Sequence, residues 1–76
     1  MPWRKLEAGR NHCRRAANWH KRAATHYDKA AEEARQAGDL AGEARERELA
    51  AKERRAAQLA RNREAAAVAA LVAIGL

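Results

Sequence analysis

From Arg14 onward the chain repeats one pattern four times. The segments RRAANWH, KRAATHY, DKAAEEA and RQAGDLA each open on two polar residues and carry two small ones in third and fourth place. The pairs Ala16-Ala17, Ala23-Ala24, Ala30-Ala31 and Ala37-Gly38 therefore recur every seven residues. A seven-residue repeat keeps one stripe of a slightly underwound helix turned toward a partner helix, which predicts a coiled coil. Side chains this small let the partner backbone come close. Leu6, Cys13, His20, Tyr27 and Ala34 share the same spacing, so the stripe is continuous along a first helix over about residues 3–37.

Pro2 suits the first turn of that helix, where its missing N–H is not needed. Gly9 weakens the opening turns by about 1 kcal/mol relative to alanine. Asn11 offers a cap for a later start, with the helix firm only from about His12. Gly38-Asp39 is the strongest breaker: glycine ends a helix in the left-handed conformation, and aspartate accepts hydrogen bonds from the free N–H groups of the next one. A second helix over about residues 40–74 follows, and so short a connection favours antiparallel neighbours. One long helix kinked at this point is the alternative. In a hairpin centred on Gly38-Asp39, Trp3 falls near Ile74, Leu6 near Leu71, Ala17 near Ala60 and Tyr27 near Leu49. The second helix has a poorer stripe, through Leu49, Ala56, Ala60, Ala67, Leu71 and Ile74. Pairs such as Glu43–Arg47 and Glu48–Lys52 add a few tenths of a kcal/mol each, at ~0.3.

The expected fold class is all-α: one domain over residues 1–76, a two-helix antiparallel hairpin in the form of an alanine-rich coiled coil. The predicted helix-packing interface is Leu6, Cys13, Ala16, Ala17, His20, Ala23, Ala24, Tyr27, Ala30, Ala31 and Ala34 on the first helix. Leu49, Ala56, Ala60 and Leu71 complete it on the second. Strands are excluded because no run alternates β-branched or aromatic residues with polar ones. The apolar fraction of 47% changes the picture once it is unpacked, because much of it is alanine. Burying alanine removes little area from water. A core this thin predicts completion by self-association or by a helix of another protein, as in a four-helix bundle.

Charge adds a second expectation. The net charge of +6 resides in the first third, where Arg4, Lys5, Arg10, Arg14, Arg15, Lys21 and Arg22 face the single acid Glu7. Cations at a helix start oppose its dipole, by roughly 0.3–1 kcal/mol per well-placed group. Such charge is held either for a polyanion, nucleic acid above all, or as a solvated face. Trp19 and Trp3 are available to stack on bases. No helix-turn-helix, zinc-finger or RNA-binding signature accompanies them, so binding would be insensitive to sequence and sensitive to salt. The uncharged tail Ala65–Leu76 is too short to span a bilayer, which takes about 20 apolar residues. It reads either as the end of the second helix covering Trp3 and Leu6, or as an anchor on an anionic membrane surface beside the basic N-terminus.

Candidate chemistry is sparse. His12, Cys13, His20 and His26 lack the i,i+3 or i,i+4 spacing of a helical metal site, and no metal, cofactor or small-molecule substrate is expected. His20 lies on the stripe, as a polar layer that fixes register. Cys13 lies there too, as a small buried thiol; a symmetric dimer would bring two copies together for an intermolecular disulfide under oxidation. A single cysteine and the lack of an apolar leader point to a reducing, cytoplasmic setting, peripheral to the membrane if the tail is an anchor. With no serine and no glycine-rich loop, neither a nucleophile–base pair nor a phosphate cradle can be assembled, so no catalytic residue is expected. Ala23, Tyr27 and Ala30 resemble the second helix of a tetratricopeptide repeat, and QAGDLAGEA resembles its inter-helix turn. The resemblance covers less than one helix and lacks the first-helix pattern, so peptide binding is not carried over. The expected role is a helical interaction module first, polyanion binding second and membrane attachment third.

Overall fold

The computed structural model describes residues 2–75; Met1 and Leu76, the outermost residues of the domain and of the apolar tail, lie outside that range. The chain is an antiparallel hairpin of two helices, α1 (Pro2–Gln36) and α2 (Leu40–Ile74), each of 35 residues. An α-helix of this length runs about 52 Å at 1.5 Å per residue. The molecule measures 56 × 13 × 12 Å, one helix long and two helices wide. α1 runs unbroken from Pro2, so Gly9 and Asn11 do not delay its start. Trp3 and Leu6 are half-buried there, and this packing supplies what the weak local propensity of the first turns lacks.

The turn between the helices uses Asp39 twice. Gly38 is left-handed, at φ 76°, and its N–H donates to the Arg35 carbonyl at 3.1 Å. The Asp39 N–H reaches back to the Ala34 carbonyl at 2.9 Å, which completes a Schellman closure of α1. Asp39 is at once the N-cap of α2, its carboxylate accepting from the Gly42 N–H at 2.9 Å. Gly42 is buried, and a Cβ there would overlap the Asp39 carboxylate. Cap and glycine are therefore coupled. Asp39→Ala is expected to cost about 1 kcal/mol. Gly42→Ala in the native chain should be nearly neutral, because its gain in helix propensity, also about 1 kcal/mol, is offset by the displaced cap. In the Asp39→Ala background the same change should stabilise. A double-mutant cycle by thermal melting reads this coupling, and strict additivity of the two changes would contradict it.

The seam between the helices is built from small side chains. The buried apolar residues are Ala17, Ala24 and Ala31 of α1, and Ala50, Ala57, Ala60 and Leu71 of α2. Those of α1 are spaced by sevens, as are Ala50 and Ala57, and Cα atoms of the two helices approach within 8 Å. Ala31 and Ala50 are fully excluded from solvent. Nothing larger than alanine is excluded to that degree among the described residues. The stripe of α2 lies one residue away from part of the predicted one. Leu49 and Ala56 are half-buried neighbours of the buried Ala50 and Ala57, and Ile74 is exposed. A leucine on the line of closest approach would hold the backbones apart, so the helix turns its alanines inward and its leucine to the side.

So thin a seam leaves much surface uncovered. The hairpin exposes 5575 Å². A compact monomer of 8.4 kDa would expose about 4600 Å² by the usual area–mass scaling. The difference, about 1000 Å², is surface that a two-helix arrangement has no third element to cover.

Candidate interaction surfaces

Successive residues of a helix are turned by 100° about its axis, so residues beside the seam alanines fall on two opposite flanks. One flank is charged. Across it Arg14 pairs with Glu64 at 3.5 Å, Asp28 with Arg54, and Glu32 with Arg47 at 3.8 Å. Within each helix, Glu32 also accepts from Arg35 at 2.6 Å and Glu43 from Arg47 at 3.0 Å. Hydrogen bonds from the Arg35 guanidinium hold the Glu32 carboxyl below its ordinary range, with lesser help from the Gln36 amide and Arg47. The same bonds raise Arg35. Exposed pairs of this kind contribute little stability, because solvent screens them. Their larger effect is to set register, since the partners run in opposite order along the two helices. His20 and Glu53 meet on the other side of the seam, each four residues before a seam alanine instead of three, with Nδ1 and Oε2 at 2.5 Å.

The other flank carries small apolar residues beside the His20–Glu53 contact. Ala16, Ala23 and Ala30 each precede a buried seam alanine by one residue and are half-buried. Leu49, Ala56 and Ala70 occupy the corresponding line of α2 and are half-buried as well, with the exposed Arg63 at the intervening position. Trp19 and Leu59 stand outside these lines at matching heights, exposed to 58% and 51%. A shallow cleft of about 270 Å³ opens between Trp19, Arg22, Ala23 and His26. Each alanine pair is thus divided. The second residue packs α1 on α2, and the first faces out beside it.

The other predicted residues are distributed as follows. Leu6, Cys13, His20, Tyr27 and Ala34 line α1 at half-buried positions, with Cys13 a free thiol. Arg4, Lys5, Arg14, Arg15, Trp19, Lys21 and Arg22 are exposed, and Arg10 is half-buried with its Nε donating to Asn11 Oδ1 at 3.3 Å. They do not converge. Arg14 and Lys21 lie on the charged flank, whereas Arg15 and Arg22 point away from α2. The apolar tail divides too: Leu71 is buried, but Val68, Val72 and Ile74 are exposed. Among the described residues no helix is long and apolar enough to cross a membrane, and no group of three or more His, Cys, Asp or Glu side chains is placed to hold a metal ion. The most buried residues of α2 that the sequence did not single out are Gly42, Ala50 and Ala57. Their only available signal was the seven-residue spacing of Ala50 and Ala57.

Fold and surfaces together define an alanine-seamed helical hairpin with three interhelical ion pairs on one flank and, on the other, small apolar residues beside the His20–Glu53 contact. No protein-family model, curated protein or solved structure matches the chain.

Proposed function

We propose that this protein is a non-enzymatic helical interaction module whose apolar flank is covered by further helices, a second copy of the hairpin being the occupant. The observation that carries the reading is the division of the alanine pairs: Ala16, Ala23 and Ala30 repeat the small-residue spacing of the seam on a flank where no helix lies. Area supports a second copy. The surplus of about 1000 Å² is close to the roughly 800 Å² each partner contributes to a standard interface. Trp19 and Leu59 supply the large apolar groups the seam lacks, and aromatic residues are the usual anchors of such contacts. Two hairpins joined in this way make a four-helix bundle with the charged flanks outward.

Sedimentation equilibrium across micromolar to millimolar concentration tests the proposal. The expected result is a reversible shift from monomer to dimer, with a melting temperature that rises with concentration, since association stabilises the folded state by mass action. A monomer at every concentration with a cooperative, concentration-independent melt would overturn it.

A further inference from the structure

A different region, on the opposite flank, carries an inference independent of self-association. Between the helices lies a cleft of about 360 Å³ with Ala24 and Ala57 among its lining residues. Around them stand Lys21 and Thr25 from α1 and Arg54, Gln58 and Arg61 from α2. Small seam residues create this space, because a larger side chain at either alanine would fill it. Every polar side chain lining it carries an N–H or O–H group, and none is acidic.

The charges are arranged unusually for this flank. On either side of the cleft, cations are answered across the seam: Arg14 by Glu64, and Arg54 by Asp28. Between those pairs Lys21 and Arg61 line the same cleft, and among the described residues neither has an ion-pair partner. Like charges placed across a helix interface are unfavourable, so an anion between them would remove a cost as well as add contacts. The surrounding groups are held in place. The Thr25 hydroxyl donates to the Lys21 carbonyl at 3.2 Å. One Gln58 amide hydrogen goes to Asn62 Oδ1 at 2.9 Å, which leaves the other to donate. Arg54 keeps its bond to Asp28 and has further N–H groups.

We propose that this cleft binds a phosphate group, with Lys21 and Arg61 as the paired cations and Gln58 and Arg54 as additional donors. Arginine and lysine together suit a phosphate, the guanidinium as a planar fork and the ammonium as a point charge. The phosphate belongs either to a small phosphoester or to a nucleic-acid backbone. The second source would place a strand along the groove between the helices, not across the outer face that carries Arg15 and Arg22.

The test compares two double variants that each remove two positive charges. Lys21→Gln/Arg61→Gln empties the cleft of its unpaired cations; Arg15→Gln/Arg22→Gln removes the same charge from the outer face. Pyrophosphate is titrated by calorimetry at constant ionic strength, and a fluorescent single-stranded oligonucleotide by anisotropy. Circular dichroism checks that each variant is helical. The cleft variant is expected to lose about tenfold or more in affinity for whichever probe the native chain binds, at one charge-assisted hydrogen bond or more. The outer-face variant should lose clearly less. Without phosphate the cleft variant should melt higher than the native chain, because the repulsion is gone. Binding of pyrophosphate alone identifies a small phosphoester, and tighter binding of the oligonucleotide identifies the backbone. Equal losses in the two variants, or no binding of either probe by the native chain, would overturn the proposal. Both titrations are run at a protein concentration where the chain is monomeric, because Arg22 also lines the cleft beside Trp19.

Discussion

Ala31→Leu should lower the melting temperature by roughly 10 °C, at 1–3 kcal/mol for overpacking and several degrees per kcal/mol in a domain this small. Ala31 is completely buried in the seam between the helices, so a longer side chain there has to displace its neighbours. Leucine would have to push the helices apart, and that separation would be felt at Ala24 and Ala50 as well. The comparison that gives the result its meaning is Ala30→Leu, one residue earlier. Ala30 is half-buried on the apolar flank, and leucine there should change the folding free energy by less than about 1 kcal/mol. Thermal melting of both variants at one low protein concentration checks the pair. Equal losses would mean that the two alanines of each repeat share one role, and the division of the seam from the flank would be lost with it.

Trp19→Ala should weaken self-association by about 30-fold or more while leaving the helix content of the monomer unchanged, because truncating an aromatic anchor at an interface typically costs 2 kcal/mol or more. In the single hairpin Trp19 is 58% exposed, so its removal takes little from the seam. Its neighbours on the flank, Ala23 and Ala16, are too small to replace the lost area. Leu59→Ala should act in the same direction by a smaller amount, as an aliphatic group of lesser area. Sedimentation equilibrium of the two variants beside the native chain measures the effect. An unchanged dimerisation constant for Trp19→Ala would remove the flank as the interface, whatever the native assembly state.

How far the sequence could be read differs between the helices. In α1 the repeat is redundant: alanine pairs, Leu6, Cys13, His20 and Tyr27 all recur by sevens, and no other face is comparably free of charge. In α2 alanines are so frequent that several lines along the helix are equally plausible, and Ala50 or Ala51, Ala56 or Ala57 cannot be separated by spacing alone. The choice falls to the partner helix, which admits alanine at closest approach and rejects Leu49. The turn was legible because Gly38 and Asp39 are each suited to one local geometry, and that geometry involves no distant residue. The cleft between Lys21 and Arg61 was not legible. These residues are 40 positions apart, and only Lys21 belongs to the basic N-terminal third.

Local and periodic properties were determined by the sequence by itself: two long helices broken at Gly38 and Asp39, and a close-packing stripe on α1, with the antiparallel return favoured over a single kinked helix by the short connection. Each follows from propensity, capping and seven-residue spacing, which act between residues near in the chain. The tertiary structure decided which alanines of α2 meet α1, which member of each α1 pair stays outside, and which charges face one another across the groove. Those outcomes depend on the relative rotation and register of two helices. They are set by steric fit and long-range ion pairs between residues that only folding brings together.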